Sequence, residues 1–193
     1  MLRHSLTGAA LVAGLALAAP SVVPAAAAAG PTYAPPGTTM TWIATTNGTT
    51  RTVKTEVLAP KGSEARFRRG TDGPARGWYP SCWSCVGQDF DHAKYGALWP
   101  LEAGKSVDFL QRAGKDGPVW RHHLEVTGKR GVTTPAGRFE TYVIRQSVTS
   151  DKGGWKGRST TWWAPSLGWA VKYRSSDNEG HHWSEQLAAV QRP

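Results

Sequence analysis

The chain has 193 residues and a formal charge of +9, from 23 Lys and Arg against 14 Asp and Glu. That length holds one domain with a full core, and no apolar run beyond the first thirty residues is long enough to cross a membrane as a helix. The basic residues are scattered rather than clustered, which argues against nucleic acid; the surplus favours an anionic polymer or headgroup, or serves solubility alone.

The first segment reads as an address rather than as fold. Arg3 and His4 form a basic start, Leu6 to Ala19 an apolar run, and Ala25 to Ala29 a small-residue tract with several A-x-A sites. This predicts a signal peptide over 1–29, cleaved to leave an exported protein, periplasmic or secreted, without a transmembrane segment. The apolar run is shorter than the ~20 residues that a spanning helix needs. Residues 30–37, GPTYAPPG, read as an extended lead-in, and 38–193 as a single β-rich domain.

Branched residues dominate TTMTWIATT (38–46) and RTVKTEVLA (51–59). The Asn47-Gly48 pair between them is a strong hairpin signal. Val53, Thr55 and Val57 alternate with Thr52, Lys54 and Glu56, which predicts one buried face and one wet one. A short strand is expected near Ala65–Arg68. The Gly- and Pro-rich stretch after it is the least regular of the chain, with a short helix expected from Gln88 to Ala97 before Pro100.

Cys82 and Cys85 lie in this irregular stretch as a C-x-x-C pair. In an oxidising compartment such a pair closes most simply as a disulfide, with redox use as the rival. Haem attachment needs His directly after the second Cys, where Val86 stands, and zinc needs two further ligands that do not follow nearby. Asp89, Asp91 and His92 crowd together in QDFDHAK, a cluster able to do acid–base work but equally common on solvated surfaces. G-x-S-x-G and H-E-x-x-H are both missing from the chain. No catalytic residue, metal ligand or cofactor is assigned.

Gly104-Lys105-Ser106 ends like a phosphate-cradling loop, but Trp99 occupies the place of the loop's first glycine. The apolar–polar alternation of SVDFL follows where a helix would be needed. It is a turn into a strand. From there KSVDFLQRA, VWRHHLEVTGKR, RFETYVIRQSVTS, WKGRSTTWWAP, GWAVKYRSS and HHWSEQLAAVQ read as strands separated by Gly or Pro turns. Successive strands without intervening helices predict an all-β fold with a minor helix: an antiparallel meander forming a curved sheet, half-barrel or barrel, interrupted by one irregular loop and short-helix insertion.

LWPLEAGKSVDF (98–109), LEVTGKRGVTTPAGRFETYVI (124–144) and WWAPSLGWAVKY (162–173) together resemble a family of exported bacterial β-domains of unknown function, the domain of unknown function 3108-like family. The resemblance covers roughly residues 98–174, departs at Thr134 and at the second Trp of Trp162-Trp163, and does not extend to the cysteine region. It implies a curved antiparallel sheet in the cell envelope, without an established chemistry.

The ten tryptophans are the main oddity. Most should fill the core, yet ten buried indole N–H groups are hard to satisfy together. Trp78, Trp83 and Trp99 flank the irregular stretch; Trp162 and Trp163 are neighbours on a strand and must face opposite ways. With Trp120 and Trp183 these form the candidate ligand-binding set, lining a concavity for an apolar, lipid-like ligand or a glycan. The rival readings are a structural or interaction module meeting an anionic envelope polymer, and a redox or hydrolytic protein using Cys82/Cys85 or Asp89–His92. The histidine pairs His122-His123 and His181-His182 cannot chelate as neighbours, because adjacent strand residues diverge.

Overall fold

The computed structural model describes residues 30–62, 64–70, 72–85, 88–112 and 114–193, so the leader expected over 1–29 and the Trp83 side chain lie outside the described residues. Among the described residues, eleven antiparallel strands make one sheet. They are β1 (Thr39–Thr46), β2 (Thr49–Lys61), β3 (Glu64–Arg69), β4 (Ala75–Trp78), β5 (Asp89–Phe90), β6 (Ser106–Arg112), β7 (Val119–Thr134), β8 (Gly137–Ser150), β9 (Lys156–Ala164), β10 (Trp169–Asp177) and β11 (His182–Gln191). Their order across the sheet is β4-β3-β2-β1-β11-β10-β9-β8-β7-β6-β5.

Consecutive strands are therefore neighbours everywhere but between β4 and β5, and one further pairing joins the two halves of the sheet. β1 pairs with β11, from Thr39 opposite Gln191 to Thr46 opposite Trp183. The free edges are β4 and β5, which follow one another in the chain. The sheet curves but does not close, so of the expected shapes the curved open sheet is found and the barrel is not. The segment between the two edges supplies the reason. It folds inward, burying Tyr79, Cys82, Cys85, Tyr95, Leu98, Trp99 and Leu101 in the core, and occupies the hollow side that edge-to-edge pairing would have closed.

Local chemistry follows the expected turns. Asn47 and Gly48 both adopt positive φ, 46° and 85°, as a two-residue loop in a right-twisted hairpin requires. Thr55 and Val57 are buried on β2 and Val53 half-buried, while Thr52 and Lys54 face water. Gly104 turns with φ 82° and Ser106 begins β6, so the Gly-Lys-Ser tripeptide is a turn. At Gly168, φ is 66° and a Cβ would lie 2.6 Å from the Ala34 backbone nitrogen, so only glycine lets the lead-in cross here and donate Ala34 N–H to the Gly168 carbonyl at 3.0 Å.

Two local expectations need correction. The helix expected from Gln88 to Ala97 shrinks to α1, His92–Gly96, because Asp89 and Phe90 pair with Arg112 and Gln111 as β5 and Asp91 becomes the N-cap, its Oδ1 accepting from Lys94 N at 3.0 Å. β4 forms where a loop was expected, with Trp78 opposite Ala65. Burial of Trp78 to 1% exposure outweighs the weak strand pattern of ARGW. No helix among the described residues is long and apolar enough to cross a membrane.

Candidate functional site

The concave face has two ends of different character. At one, Trp78, Trp99, Trp163 and Trp169 are all nearly inaccessible and pack ring against ring: Trp78–Trp169 at 4.6 Å, Trp99–Trp163 at 5.3 Å and Trp78–Trp163 at 6.0 Å between centroids. The gap left by Trp78 and Trp169, beside Trp42, Phe67 and Tyr173, is about 20 Å³, room for a water molecule at most. Buried Glu185 forms an ion pair with half-buried Arg69 at its margin. Burial pushes the Glu185 carboxyl up, and the Arg69 guanidinium opposes that shift.

At the other end lies a hollow of about 270 Å³. Trp120 and Trp155 form one aromatic wall, their rings 5.1 Å apart and tilted by 30°. Trp183 and Tyr173, 5.2 Å apart, form another. Trp155 stays in place because its indole lies over Gly157, where any Cβ would come within 2.5 Å of the ring, and because Nε1 donates to Asp177 Oδ2 at 3.4 Å. Trp120 brings a buried Nε1–H with no acceptor among the described residues. Arg158, His181 and His182 stand at the margin. A larger open depression, about 670 Å³, lies by β1, β2 and β11, but Thr39, Thr41, Lys54, Glu56 and Gln191 line it without an aromatic ring.

The floor of the hollow is polar and belongs to a buried network. Gln146 and Ser159 are in register on β8 and β9, both facing inward. Ser159 Oγ donates to Gln146 Oε1 at 3.1 Å, and Gln146 Nε2 meets His122 Nδ1 at 2.9 Å. His122 Nε2 meets Gln111 Oε1 at 2.8 Å, and Gln111 Nε2 donates to the Ser84 carbonyl at 2.8 Å. The His122 ring stacks on Phe109 at 4.8 Å, with Cys82 Sγ 3.9 Å from its Nδ1. Burial drives its pKa down to about 4, so the imidazole is neutral at ordinary pH.

The Cys82–Cys85 bridge is formed and buried. It encloses Ser84 and so fixes the carbonyl on which the network ends. Cys82, Cys85 and His122 present three donor atoms within 4.8 Å of one another, as do Asp177, Glu179 and His181. In the first group the sulfurs are bonded to each other. In the second, Asp177 Oδ1 already accepts the amides of Glu179 and His181 at 2.9 and 3.0 Å, which shapes the turn between β10 and β11.

Of the sequence-derived set, Trp120 and Trp183 are in the hollow. Trp78, Trp99 and Trp163 are in the packed end. Trp162 points to the convex face beneath Lys172, whose Nζ is 5.4 Å from the ring centroid. Asp89 is exposed, and His92 packs on Phe90 at 3.9 Å. The hollow also contains residues that the sequence reading did not single out: Trp155, Tyr173, Gln146 and Ser159. Gly157 within a strand was the available signal for Trp155, since a mid-strand glycine marks a close approach. The polar pair was visible as Gln146 and Ser159 breaking apolar inward positions on their strands.

The DUF3108-like family model matches residues 122–187, from His122 on β7 into β11. That span carries His122, Gln146, Ser159, Tyr173 and Trp183 but not the cysteine loop. Among solved structures, the hypothetical lipoprotein YmcC from Escherichia coli K12 superposes with a TM-score of 0.52 at 11% identity, over 82% of this chain and 86% of that one. A protein described as exported, with a YmcC-like fold, from Bacteroides fragilis NCTC 9343 gives 0.46 at 15% identity over 85% and 100% of the two chains. A lipoprotein assignment from Parabacteroides distasonis ATCC 8503 gives 0.47 at 14% over 82% and 97%. No curated protein matches the chain. The chain thus carries a DUF3108-like segment over residues 122–187, on a fold similar to that of YmcC.

Proposed function

We propose that the protein is an exported, non-catalytic binding protein of the cell envelope that takes a short glycan unit into the hollow between β7 and β11. The observation that carries this reading is the pairing of aromatic walls, Trp120/Trp155 and Trp183/Tyr173, with a floor of buried amide and hydroxyl groups. Sugar rings present apolar faces that stack on flat aromatic rings and hydroxyl edges that need hydrogen-bond partners. An acyl chain would want a longer, enclosed and wholly apolar cavity, and about 270 Å³ with Gln146 and Ser159 at its base suits it poorly. Export is supported by the leader-like residues 1–29 and by the descriptions of structurally similar proteins as exported or lipoprotein.

Titration of tryptophan emission with a panel of oligosaccharides and with phospholipid vesicles tests the reading. A saturable response to an oligosaccharide is expected, lost in Trp155→Ala and kept in Trp162→Ala, whose ring is on the other face. Silence across the whole panel removes it.

A second reading rests on the convex face. Arg145 and Arg174 flank Thr160 in register across β8 to β10, Arg158 faces Ser147, and Lys172 caps Trp162. This basic group suits an anionic envelope polymer. Retention on such a polymer that weakens with salt supports it, and salt-independent retention counts against it.

A further inference from the structure

The buried network is directional, and its direction can be derived. A backbone carbonyl can only accept, so the Ser84 oxygen 2.8 Å from Gln111 fixes that end of the Gln111 amide as NH₂ and the other as oxygen. Gln111 Oε1 then receives the Ser84 hydroxyl at 2.9 Å and must also receive a proton from His122 Nε2. A neutral imidazole with its proton on Nε2 has only a lone pair on Nδ1, so Gln146 must present NH₂ to it and oxygen to Ser159. Ser159 spends its own proton on that oxygen. With that proton spent, the Ser159 oxygen is left with lone pairs only. The relay runs from β6 to β9, one strand at a time, and ends at the hollow.

We propose that this relay makes Gln146 a fixed N–H donor and Ser159 a fixed acceptor at the floor of the hollow, selecting a neutral, hydroxyl-bearing sugar over its carboxylated counterpart. The inference rests on the glycan reading above and adds the ligand class. A sugar hydroxyl accepts from Gln146 and donates to Ser159 at once. A carboxylate has only lone pairs, so it satisfies Gln146 and repels Ser159, with its charge desolvated beside a neutral imidazole. His122 does not line the hollow. It is a positioning residue, holding the Gln146 amide one way round.

Two measurements on the full chain separate this inference from the reading beneath it. Nitrogen-15 NMR of the His122 imidazole, without ligand, should show the Nε2–H tautomer from pH 5 to 8; the Nδ1–H tautomer overturns the relay whatever the protein binds. Calorimetry then compares a glucose tetrasaccharide with the same oligomer oxidised to glucuronate at C6. The neutral form should bind at least tenfold more tightly, and equal or reversed affinity overturns the selection. His122→Phe keeps the stack on Phe109 but frees Gln146 to turn, and should bring the affinity ratio toward one. An unchanged ratio in that variant, if it folds by circular dichroism, removes His122 from the mechanism. If neither oligomer binds while the Nε2–H tautomer is present, the glycan reading falls and takes the ligand class with it.

Discussion

The two ends of the concave face use the same residue type in opposite ways. At the packed end, Trp163 is covered by Trp99 from the inserted segment, and Trp163 and Trp169 by Tyr33 from the lead-in. At the other end, Trp120, Trp155 and Trp183 stand on the same curved sheet, partly open, around a floor of Gln146 and Ser159. Both ends belong to continuous strands: Trp163 and Ser159 are four residues apart on β9. The difference lies in what lies across the strand, not in the strand itself. Where the chain folds back over its own sheet an indole is core, and where it does not, the indole is a wall.

The sharpest way to break this comparison is Trp163→Ala, which should cost about 3–5 kcal/mol, because a large buried ring leaves a cavity that its neighbours cannot fill. Urea unfolding measures it, and a loss below about 1 kcal/mol would mean that the packed end is not packed. Next comes pH. The folded chain refuses a proton at His122 until about pH 4, whereas the unfolded chain accepts one near the ordinary value of 6.5. This contribution is therefore fully present above pH 6.5 and is lost progressively as pH falls to about 4, by about 3 kcal/mol in total. Unfolding at pH 7.5 and 4.5 should show most of that loss in the natural chain and its absence in His122→Phe.

Reducing the Cys82–Cys85 bridge should have a smaller effect, about 2 kcal/mol by loop entropy, since the ring it closes is short. It should also loosen the Ser84 carbonyl, so the His122 resonances are expected to shift along with the unfolding midpoint. Trp155→Ala should cost least, under about 1 kcal/mol, because its ring is half-exposed. The same substitution should abolish the oligosaccharide response, and this crossing of effects, stability at one end and binding at the other, is what the comparison requires.

Much of the sheet was legible because its signals are local. Asn47-Gly48 specifies a hairpin by itself, and the run of strands from Ser106 onward follows from alternation and Gly or Pro turns. The neighbours Trp162 and Trp163 had to diverge, and they do. What escaped depends on contacts distant in sequence. β4 exists because Trp78 finds Trp169 about ninety residues later, and β5 because Asp89 and Phe90 meet Arg112 and Gln111. The hollow was legible only in part for the same reason. Trp120 and Trp183 could be named as aromatic, but nothing local says that Trp155 lies over Gly157, or that Gln111, His122 and Gln146 fall into line across three strands. Cys82 and Cys85 announced a bridge, and not that the bridge would hold the carbonyl that orients a buried histidine.

The pairing of β1 with β11 has a consequence for how the molecule comes into being. A ribosome releases β1 first among the strands and β11 last, so Thr39–Thr46 wait with one edge bare through nearly the whole of synthesis. The two-stranded ribbon of β1 and β2 is marginal alone, and the long separation of its final partner makes docking slow. The nascent chain thus stays pliable until its last strand appears, and that last strand is also the one that sets Trp183 in the wall of the hollow.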